Sequence, residues 1–447
     1  MLLIYVDKIT NRLGYTLNLI FKDILGLEYK ITTRRDDFAK YEGFKFSYTK
    51  RRISNEPYIY SSDLLFETTI EIQNLTLFTY ENNPAIFKTY AKDTIMPFDV
   101  LAASFYFVSR YEEYLPFIQD KHGRFRCEES LAFKNCFLHK PIVNIWVKIL
   151  RQKLNEFYPD MIFPKYYFRY FNTIDIDSAY SFKEKNFFRQ SFGFFKDFFT
   201  GNFSECVYRI NVLLGKKQDP YDTFDYQISL IKQYKLKTIY FILFGHYGKY
   251  DKNISPYNKK FHRLIKLLCD YAKVGIHPSY SSFDDAEDLS SQIKELYGVL
   301  HKPVLRNRFH YLRFRLPISF RRLLDNMITD DYSMGYSNAI GFRAGICTSY
   351  NFYDLEFDGE TKLRLHPFSV MDVALKHGLG LNPSEAIDRI KKIVDEVNSV
   401  DGDFISVWHN ESLSQRYQWK DWQEVYEDMI KYVSAIDRTP FGKGFGT

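Results

Sequence analysis

The chain lacks most of the patterns that would place it in a specialised class of protein. Its five cysteines, among 447 residues, are scattered, odd in number and never spaced as CxxC, which argues against a disulfide framework and against a zinc finger. Its longest apolar run, around VLAASFYFV, is far shorter than the roughly 20 residues that cross a bilayer. No block of like charge accompanies the net charge of +6, so we expect neither a nucleic-acid partner nor membrane insertion.

An export signal is also missing from the N-terminus. The stretch MLLIYVDKITNRLGYTLNLIF has no basic start followed by a continuous apolar core and a small-residue cleavage site. We therefore expect a cytoplasmic protein.

Aromatic residues, by contrast, are abundant. The sequence contains 36 Tyr and 42 Phe, which suit a packed core and also suit clefts that bind sugars. Hydrophobic residues make up 45% and charged residues 26% of the chain, the usual balance of a globular protein. The length favours two or three domains.

Two regions of the chain differ in pattern. Residues 1–165 hold short, mixed segments and predict a separate N-terminal α+β domain of unknown role. From residue 166 to 447, strand-like stretches such as LKTIYFILFG and FISVWHN alternate with amphipathic helical stretches such as LNPSEAIDRIKKIVDEVNSV. That alternation is typical of a parallel sheet or barrel with helical crossovers.

Ionisable residues follow several of the predicted strands directly. Ligands of βα architectures lie at the carboxyl ends of the strands, so these side chains are expected to converge. The residues in such positions are Asp175, Asp177, His277, Arg308, His310, Arg343 and His409.

The stretch TIDID is the most informative of these strand ends. Alternate residues of a strand point to the same side, so Asp175 and Asp177 project together. Two close carboxylates repel unless a cation or a shared proton lies between them, which suits one as a metal ligand and the other as a base. The alternative is an Asx turn with a capping Asp at the end of a strand.

Histidines at two other strand ends add to this pattern. His277 in VGIHPSYSS is a plausible ligand beside the two carboxylates, and imidazole with carboxylate suits zinc or another divalent ion. His409, facing the metal from the opposite wall, could donate a proton to a leaving amine. Each histidine could instead be a buried structural residue that bonds a nearby carbonyl.

The stretches TIDID, GIHPS, RNRFHYLRF and VWHN, in this order, resemble the motifs of the polysaccharide deacetylases, the NodB-homology carbohydrate esterases. The resemblance covers residues 166 to about 435 and implies an α/β fold, a distorted (β/α) barrel. MPFDVLAASFYFVSRYEEY and HGRF are similar to an uncharacterised domain that precedes this barrel in a bacterial subgroup.

The resemblance implies roles for individual residues. Asp175 would be the catalytic base and Asp177 and His277 metal ligands, His409 would assist the leaving group, and Arg308 would orient the base.

One position departs from the family pattern. The second ligand histidine of the GIHPS motif is replaced by Ser281, and a hydroxyl is a poor zinc ligand. His310, at the end of the adjacent strand, is the natural substitute on placement alone.

The expected function is a metal-dependent hydrolase that removes N-acetyl or O-acetyl groups from a polysaccharide or glycan precursor, with a divalent metal, Zn, as the expected cofactor. A catalytically inactive deacetylase-like barrel that binds a glycan or a protein partner is the alternative, favoured by Ser281. A deacylase acting on a lipid or a small amide is a third reading. The residues expected to line the sugar cleft are Tyr280, Tyr311, Arg343 and Trp408.

Overall fold

The computed structural model describes residues 1–185 and 187–437, in which parallel strands and helices alternate. In the N-terminal region, four parallel strands form a sheet in the order β2-β1-β3-β4, and helices connect the first three of them. The elements of this region are β1 (Leu2–Val6), α1 (Asn11–Leu17), β2 (Tyr29–Thr32), α2 (Arg35–Lys40), β3 (Lys45–Thr49), β4 (Tyr58–Tyr60), β5 (Phe78–Tyr80), β6 (Asn83–Ala85), α3 (Val100–Val108), α4 (Leu131–Lys134) and α5 (Ile142–Phe157).

This connectivity is α/β, whereas the sequence pattern led us to expect an α+β domain. The strands of the first sheet have only three to five residues each. Such short strands carry too little periodicity to reveal a parallel arrangement from sequence.

The second region forms a nine-stranded sheet in the order β12-β13-β11-β10-β9-β8-β7-β15-β14, in which β12 and β13 are antiparallel and the other pairs parallel. Its elements are β7 (Arg169–Ile176), α6 (Phe187–Phe199), α7 (Phe203–Leu213), α8 (Phe224–Tyr234), β8 (Thr238–Leu243), α9 (Lys259–Cys269), β9 (Lys273–His277), α10 (Ala286–Leu300), β10 (Arg306–Asn307), α11 (Ile318–Asp325), β11 (Asp330–Asp331), β12 (Tyr350–Asp354), β13 (Gly359–Leu365), β14 (Val370–Met371), α12 (Pro383–Ser399), β15 (Asp403–His409) and α13 (Trp422–Ile436).

Closure of the expected distorted (β/α) barrel is not confirmed. The strands β12 and β14 end the order of the sheet, and no pairing between them joins the edges within the described ranges. Strand and helix alternation predicts parallel crossovers in an open sheet and in a barrel alike, so the sequence pattern could not separate the two.

Local sequence explains why the central elements form where they do. All six residues of β8 and all seven of β15 are buried, as expected for strands that pack against other parts of the protein on both faces. Helix α12 begins with a capping box in which Asn382 and Glu385 satisfy each other's backbone N–H groups. The Asp285 side chain caps α10 by accepting hydrogen bonds from the backbone N–H groups of Glu287 and Asp288.

The two regions pack against each other through buried contacts. The rings of Tyr15 and Tyr353 lie 4.9 Å apart, and Asn144 Oδ1 accepts a hydrogen bond of 2.9 Å from the backbone N of Cys347. The predicted domain boundary at residue 165 falls between α5 and β7 and stays a prediction, and residues 438–447 of the predicted second domain lie outside the described residues. No described helix is long and apolar enough to cross a membrane.

Candidate metal centre

A single cavity of about 250 Å³ lies at the carboxyl ends of the parallel strands. The end of β7 supplies Asp175 and Asp177, the end of β9 supplies His277, the segment after β10 supplies His310, and the end of β15 supplies His409. Five of the seven ionisable residues that were expected to converge therefore line the same cavity, whereas Arg308 and Arg343 do not line it.

Three of these side chains could hold a metal ion. One ligand atom each from Asp177, His277 and His310 lies within 4.8 Å of the other two. Asp177 Oδ1 is 3.2 Å from His277 Nε2, and Asp177 Oδ2 is 3.5 Å from His310 Nε2. Both imidazoles are buried, and the carboxylate is partly exposed toward the cavity.

In both His277 and His310, a hydrogen bond at Nδ1 leaves Nε2 facing the cavity. His277 Nδ1 lies 2.6 Å from the Arg308 carbonyl oxygen, so it donates a hydrogen bond there. His310 Nδ1 lies 2.8 Å from Asp251 Oδ1, which also accepts. Such partners on Nδ1 are the usual support for a histidine that binds metal through Nε2.

The atoms that face one another are therefore mostly acceptors. In neutral His277 and His310, both Nε2 atoms carry lone pairs toward Asp177. Asp177 Oδ1 is buried and has no hydrogen-bond partner within the described residues. A divalent cation fits this set of donors, because it would satisfy the orphaned oxygen and both ring nitrogens.

Electrostatics favour positive charge at the same place. Burial lowers the pKa of His310, but the carboxylates of Asp177 and Asp251 outweigh it and raise that pKa to about 9. Burial raises the pKa of Asp177, yet the neighbouring imidazoles, His310 first, hold it well below the usual range. A proton on His310 thus supplies the charge that a bound cation would replace.

Asp175 is held beside this group by a fully buried arginine. Arg308 Nη1 donates to Asp175 Oδ1 at 3.1 Å, and its other nitrogens donate to Thr173 Oγ1 and to the Tyr332 carbonyl oxygen. The second carboxylate oxygen of Asp175 is 4.0 Å from His277 Nε2. Asp175 therefore has one fixed oxygen and one oxygen beside the three candidate ligands.

His409 is held by a carboxylate that the sequence analysis missed. Asp372 Oδ1 lies 2.8 Å from His409 Nδ1, and Asp372 Oδ2 accepts from the His409 backbone N–H at 2.8 Å. His409 Nε2 is 4.0 Å from Asp177 Oδ2. Burial lowers the pKa of His409, but Asp372 outweighs it and raises that pKa well above its ordinary value.

The four residues expected to line a sugar cleft have different surroundings. Tyr311 lines the cavity. Arg343 is buried in a two-pronged ion pair with Glu113, at 2.8 and 2.7 Å, and lines a smaller neighbouring pocket of about 70 Å³. Tyr280 lies beside the cavity, where its hydroxyl is 3.0 Å from His122 Nδ1.

Trp408 does not line the cavity, which corrects the expectation. Its side chain is fully buried, with its ring 4.9 Å from that of Tyr426. Neighbouring residues of a strand point to opposite faces. Because His409 faces the cavity, Trp408 points to the other face of the sheet and packs beneath α13. Ser281 also lies apart from the candidate ligands, because its hydroxyl donates to Asp288 at 2.8 Å.

The N-terminal region supplies part of the cavity wall, which the sequence analysis did not foresee. Arg124 lines the cavity, and its Nη1 donates to the carbonyl oxygen of Tyr311, directly after His310. Tyr311 and Leu312 both have left-handed backbone angles, with φ of 59° and 51°, which are uncommon for residues other than glycine. Arg124 thus supports the turn that follows a candidate ligand.

Comparisons with known proteins give partial similarities. Residues 2–159 match a family described as of unknown function, DUF7033. No curated protein matches the chain.

Two solved structures resemble part of the chain. The first is a Mycobacterium smegmatis protein named as a candidate polysaccharide deacetylase, 13% identical, covering 62% of this chain and 87% of that one with a TM-score of 0.41. The second is a mutant of a CE4 family pseudoenzyme with restored enzymatic activity, 11% identical, covering 59% of this chain and 63% of that one with a TM-score of 0.31.

Proposed function

We propose that the protein is a metal-dependent hydrolase that removes N-acetyl or O-acetyl groups from a polysaccharide or glycan precursor. One observation carries the proposal: a single cavity collects a set of metal ligands, a carboxylate fixed by an arginine and an imidazole fixed by a carboxylate. These are the parts that acyl transfer to water requires, namely an ion site, a proton acceptor and a proton donor.

Asp177, His277 and His310 would hold the ion. Two imidazoles and one carboxylate suit zinc and leave coordination positions open. Polarisation of an acyl carbonyl and acidification of water are what a divalent ion supplies when it is bound by such residues.

Asp175 would accept the proton of the attacking water. Its Oδ1 is engaged by Arg308 at 3.1 Å, while its Oδ2 faces the candidate ligands. Arg308 has three hydrogen-bond partners and is fully buried, so it acts as a positioning residue that holds the carboxylate in one orientation. A base held in this way needs little rearrangement before it takes a proton.

His409 would protonate the departing amine or alcohol. Asp372 binds its Nδ1, so the proton to be transferred is carried on Nε2, next to the cavity. The raised pKa of His409, caused by Asp372 against the opposing effect of burial, keeps this proton in place near neutral pH. Asp175 and His409 then divide base and acid between two differently charged environments.

A sugar ring would be bound by the apolar and aromatic wall of the cavity. Tyr311 and Trp419 line it together with Leu312 and Met371, and aromatic faces pack well against the apolar faces of sugars. A volume of about 250 Å³ suits a small acylated unit better than a folded partner.

The alternative, an inactive barrel that binds a glycan or a protein, drew its support from Ser281. The hydroxyl of Ser281 is bonded to Asp288, and His310 completes a three-residue ligand group without it. The absence of a histidine at position 281 therefore gives little reason to expect an inactive site.

Zinc content and acetate release test the proposal together. We expect the zinc-loaded, dialysed protein to retain about one ion per chain and to release acetate from N-acetylated oligosaccharides, and Asp177→Ala to lose both properties. Ser281→Ala is the matched control, because it removes an exposed hydroxyl that bonds Asp288 and is not one of the candidate ligands, and should behave like the parent. Equal zinc content in the parent and in Asp177→Ala would contradict the proposed site, and bound zinc without acetate release from any acylated glycan would favour the binding protein.

A further inference from the structure

A helical hairpin, formed by α6 (Phe187–Phe199) and α7 (Phe203–Leu213), joins β7 to the α8–β8 unit and exposes large apolar side chains. On α6, Phe192, Phe195 and Phe199 are 75%, 55% and 81% exposed. Their spacing of three and four residues places them on one face of the helix. A stripe of this kind normally packs into a core, and here it faces solvent.

The second helix, α7, also exposes a stripe of apolar side chains. Its large apolar residues again recur every three or four positions and are between 44% and 64% exposed. They are Phe203, Val207, Ile210 and, directly after the helix, Leu214. The two stripes meet at the turn, where the rings of Phe198 and Phe203 lie 5.4 Å apart. The described apolar side chains of both helices are therefore exposed and meet at the turn, and an exposed apolar patch of this kind marks an interaction site.

Polar contacts hold the two helices to each other and to the rest of the protein, while Cys206 and Val212 of α7 are buried. Asp197 pairs with Arg209 at 2.6 Å between the helices. Glu205 pairs with Arg416 at 3.1 Å, and the Arg416 guanidinium lies 3.5 Å from the centre of the Tyr208 ring. These contacts fix the hairpin with its apolar surface outward.

The net charge of the hairpin sequence favours an anionic partner. Residues 183–217 contain seven Lys or Arg and three Asp or Glu, a net charge of 7 − 3 = +4, and Lys216 and Lys217 are exposed directly after α7. A second copy of the chain would bring an equal positive charge against this one. An anionic lipid surface accepts both features, because phenylalanine enters the headgroup boundary while basic residues bind the lipid phosphates.

The hairpin is also connected to the candidate active site. It is the next helical unit after β7, whose end carries Asp175 and Asp177, and α6 begins at Phe187. Its partner Arg416 belongs to the segment whose Gln418 and Trp419 line the cavity. A surface bound to the hairpin would therefore lie beside the segment that forms one wall of the cavity.

We propose that the hairpin docks the protein peripherally on an anionic membrane surface and brings the cavity to glycans carried by a lipid. The docking stands on the hairpin alone, whereas the lipid-carried substrate rests on the hydrolase function proposed above.

Vesicle flotation tests the docking. We expect the full-length protein to float with phosphatidylglycerol-containing vesicles, to float less with pure phosphatidylcholine, and to be released by salt. Phe195→Ser/Phe199→Ser should lower the partition coefficient by about tenfold or more. Ile72→Ser/Ile162→Ser, which changes two exposed apolar residues outside the hairpin, should bind like the parent.

Further variants separate the possible outcomes. Phe195→Trp should keep binding and shift its emission to the blue on anionic vesicles, which reports insertion even if the serine variant folds poorly. Failure of the parent to bind, or equal binding by the Phe195→Ser/Phe199→Ser and Ile72→Ser/Ile162→Ser variants, would overturn the proposal. Conversion of a dimer to a monomer by Phe195→Ser/Phe199→Ser, without vesicle binding by the parent, would instead identify a second copy as the partner.

The test is independent of catalysis. Asp177→Ala should bind vesicles like the parent, so loss of activity and loss of docking can be told apart. With active protein, Phe195→Ser/Phe199→Ser should reduce acetate release from an N-acetylated glycolipid in vesicles by about tenfold and leave release from a soluble oligosaccharide unchanged. Equal loss on both substrates would contradict the role in presenting lipid-carried glycans.

Discussion

The carboxyl edge of the nine-stranded sheet and the α6–α7 hairpin depart from the usual distribution of residues in opposite directions. At the sheet edge, charged groups are buried, including Asp175, Arg308 and Asp372. On the hairpin, phenylalanines such as Phe192 and Phe199 are mostly exposed. Buried charge and an exposed apolar patch are the two informative exceptions to the rule that apolar residues lie inside.

The two exceptions differ in how their cost is offset. Each buried charge at the sheet edge has a partner, as Asp175 has Arg308 and Asp372 has His409, and such pairing offsets much of the desolvation cost. Within the described residues, no comparable partner covers the exposed apolar side chains of α6 and α7. Under the two proposals, the first region would need only a cation from outside the chain, whereas the second would need an external surface.

Neutralising Asp372 should give the largest effect. Asp372→Asn keeps the shape of the side chain but removes the charge that holds the His409 proton, so kcat for acetate release should fall about 100-fold or more. Burial lowers the pKa of His409 and the Asp372 carboxylate raises it more strongly. The variant should therefore lose its protonated acid at lower pH, and the alkaline limb of its pH profile should shift to lower pH. The measurement is kcat against pH at saturating zinc.

Zinc content separates a positioning role from a structural one. His409→Gln should lower kcat as much as Asp372→Asn and remove the alkaline limb altogether, while both variants keep the zinc content of the parent. If Asp372→Asn lost its zinc, or if its pH profile coincided with that of the parent, the pair would not supply the acid.

Much of this edge could be predicted from sequence, because long strands with ionisable residues at their ends are distinct in pattern. The strands TIDID, VGIH and FISVWH appear as β7, β9 and β15, and the side chains at their ends line one cavity. Asp372 was missed because β14 has only two residues, and Asp251 because it lies in a loop after β8. Neither position carries a periodic signal.

The hairpin could be predicted as helix but not as an exposed surface. A stripe at helical spacing in FFRQSFGFFKDFF gives the same pattern whether it packs into a core or faces a partner. Exposure depends on which face the neighbouring elements cover, and here the contacts of Glu205 and Arg209 decide it. An open sheet and a barrel were likewise indistinguishable from the alternation of strands and helices.

Breaking a buried ion pair between the two regions should have the next largest effect. Glu113 binds Arg343 and Arg110, and burial, which raises its pKa, is outweighed by these two cations. Glu113→Gln leaves buried positive charge uncompensated and should lower the free energy of unfolding by about 3–5 kcal/mol. Urea denaturation followed by circular dichroism measures this change.

An exposed pair provides the control for that variant. Asp428 and Lys431 lie 3.1 Å apart, each side chain 55% exposed, so Asp428→Asn should change the free energy of unfolding by less than about 1 kcal/mol. A similarly small loss in Glu113→Gln would mean that the two regions do not depend on this contact for stability.

The affinity for zinc should depend on pH. His310 has its pKa raised to about 9 and must lose this proton before Nε2 can bind an ion, so each ion bound below that pH releases a proton. The apparent dissociation constant should fall about tenfold per pH unit from pH 7 toward 9 and level off above it. Competition with a chelator of known pH dependence measures the slope.

His310→Ala tests the assignment of that proton. The variant should bind zinc more weakly at every pH and show a shallower slope, because the group that titrates has been removed. Binding as tight as that of the parent would rule out His310 as the ligand that stands in for the missing histidine at position 281.

The smallest expected effect is on the hairpin and completes the comparison. Phe195→Ser/Phe199→Ser removes two large side chains that are already 55% and 81% exposed in the folded protein. Unfolding exposes little additional apolar area at these positions, so the free energy of unfolding should change by only about 0.5 kcal/mol. Phe320→Ala, at a fully buried ring, should cost about 3–5 kcal/mol in the same denaturation experiment.

A loss of several kcal/mol in the double variant would mean that the stripe is covered in solution, by a second copy of the chain, and a loss that grows with protein concentration would identify that dimer. A negligible loss leaves a surface that is retained without contributing to the stability of the monomer, as a membrane-docking surface would be.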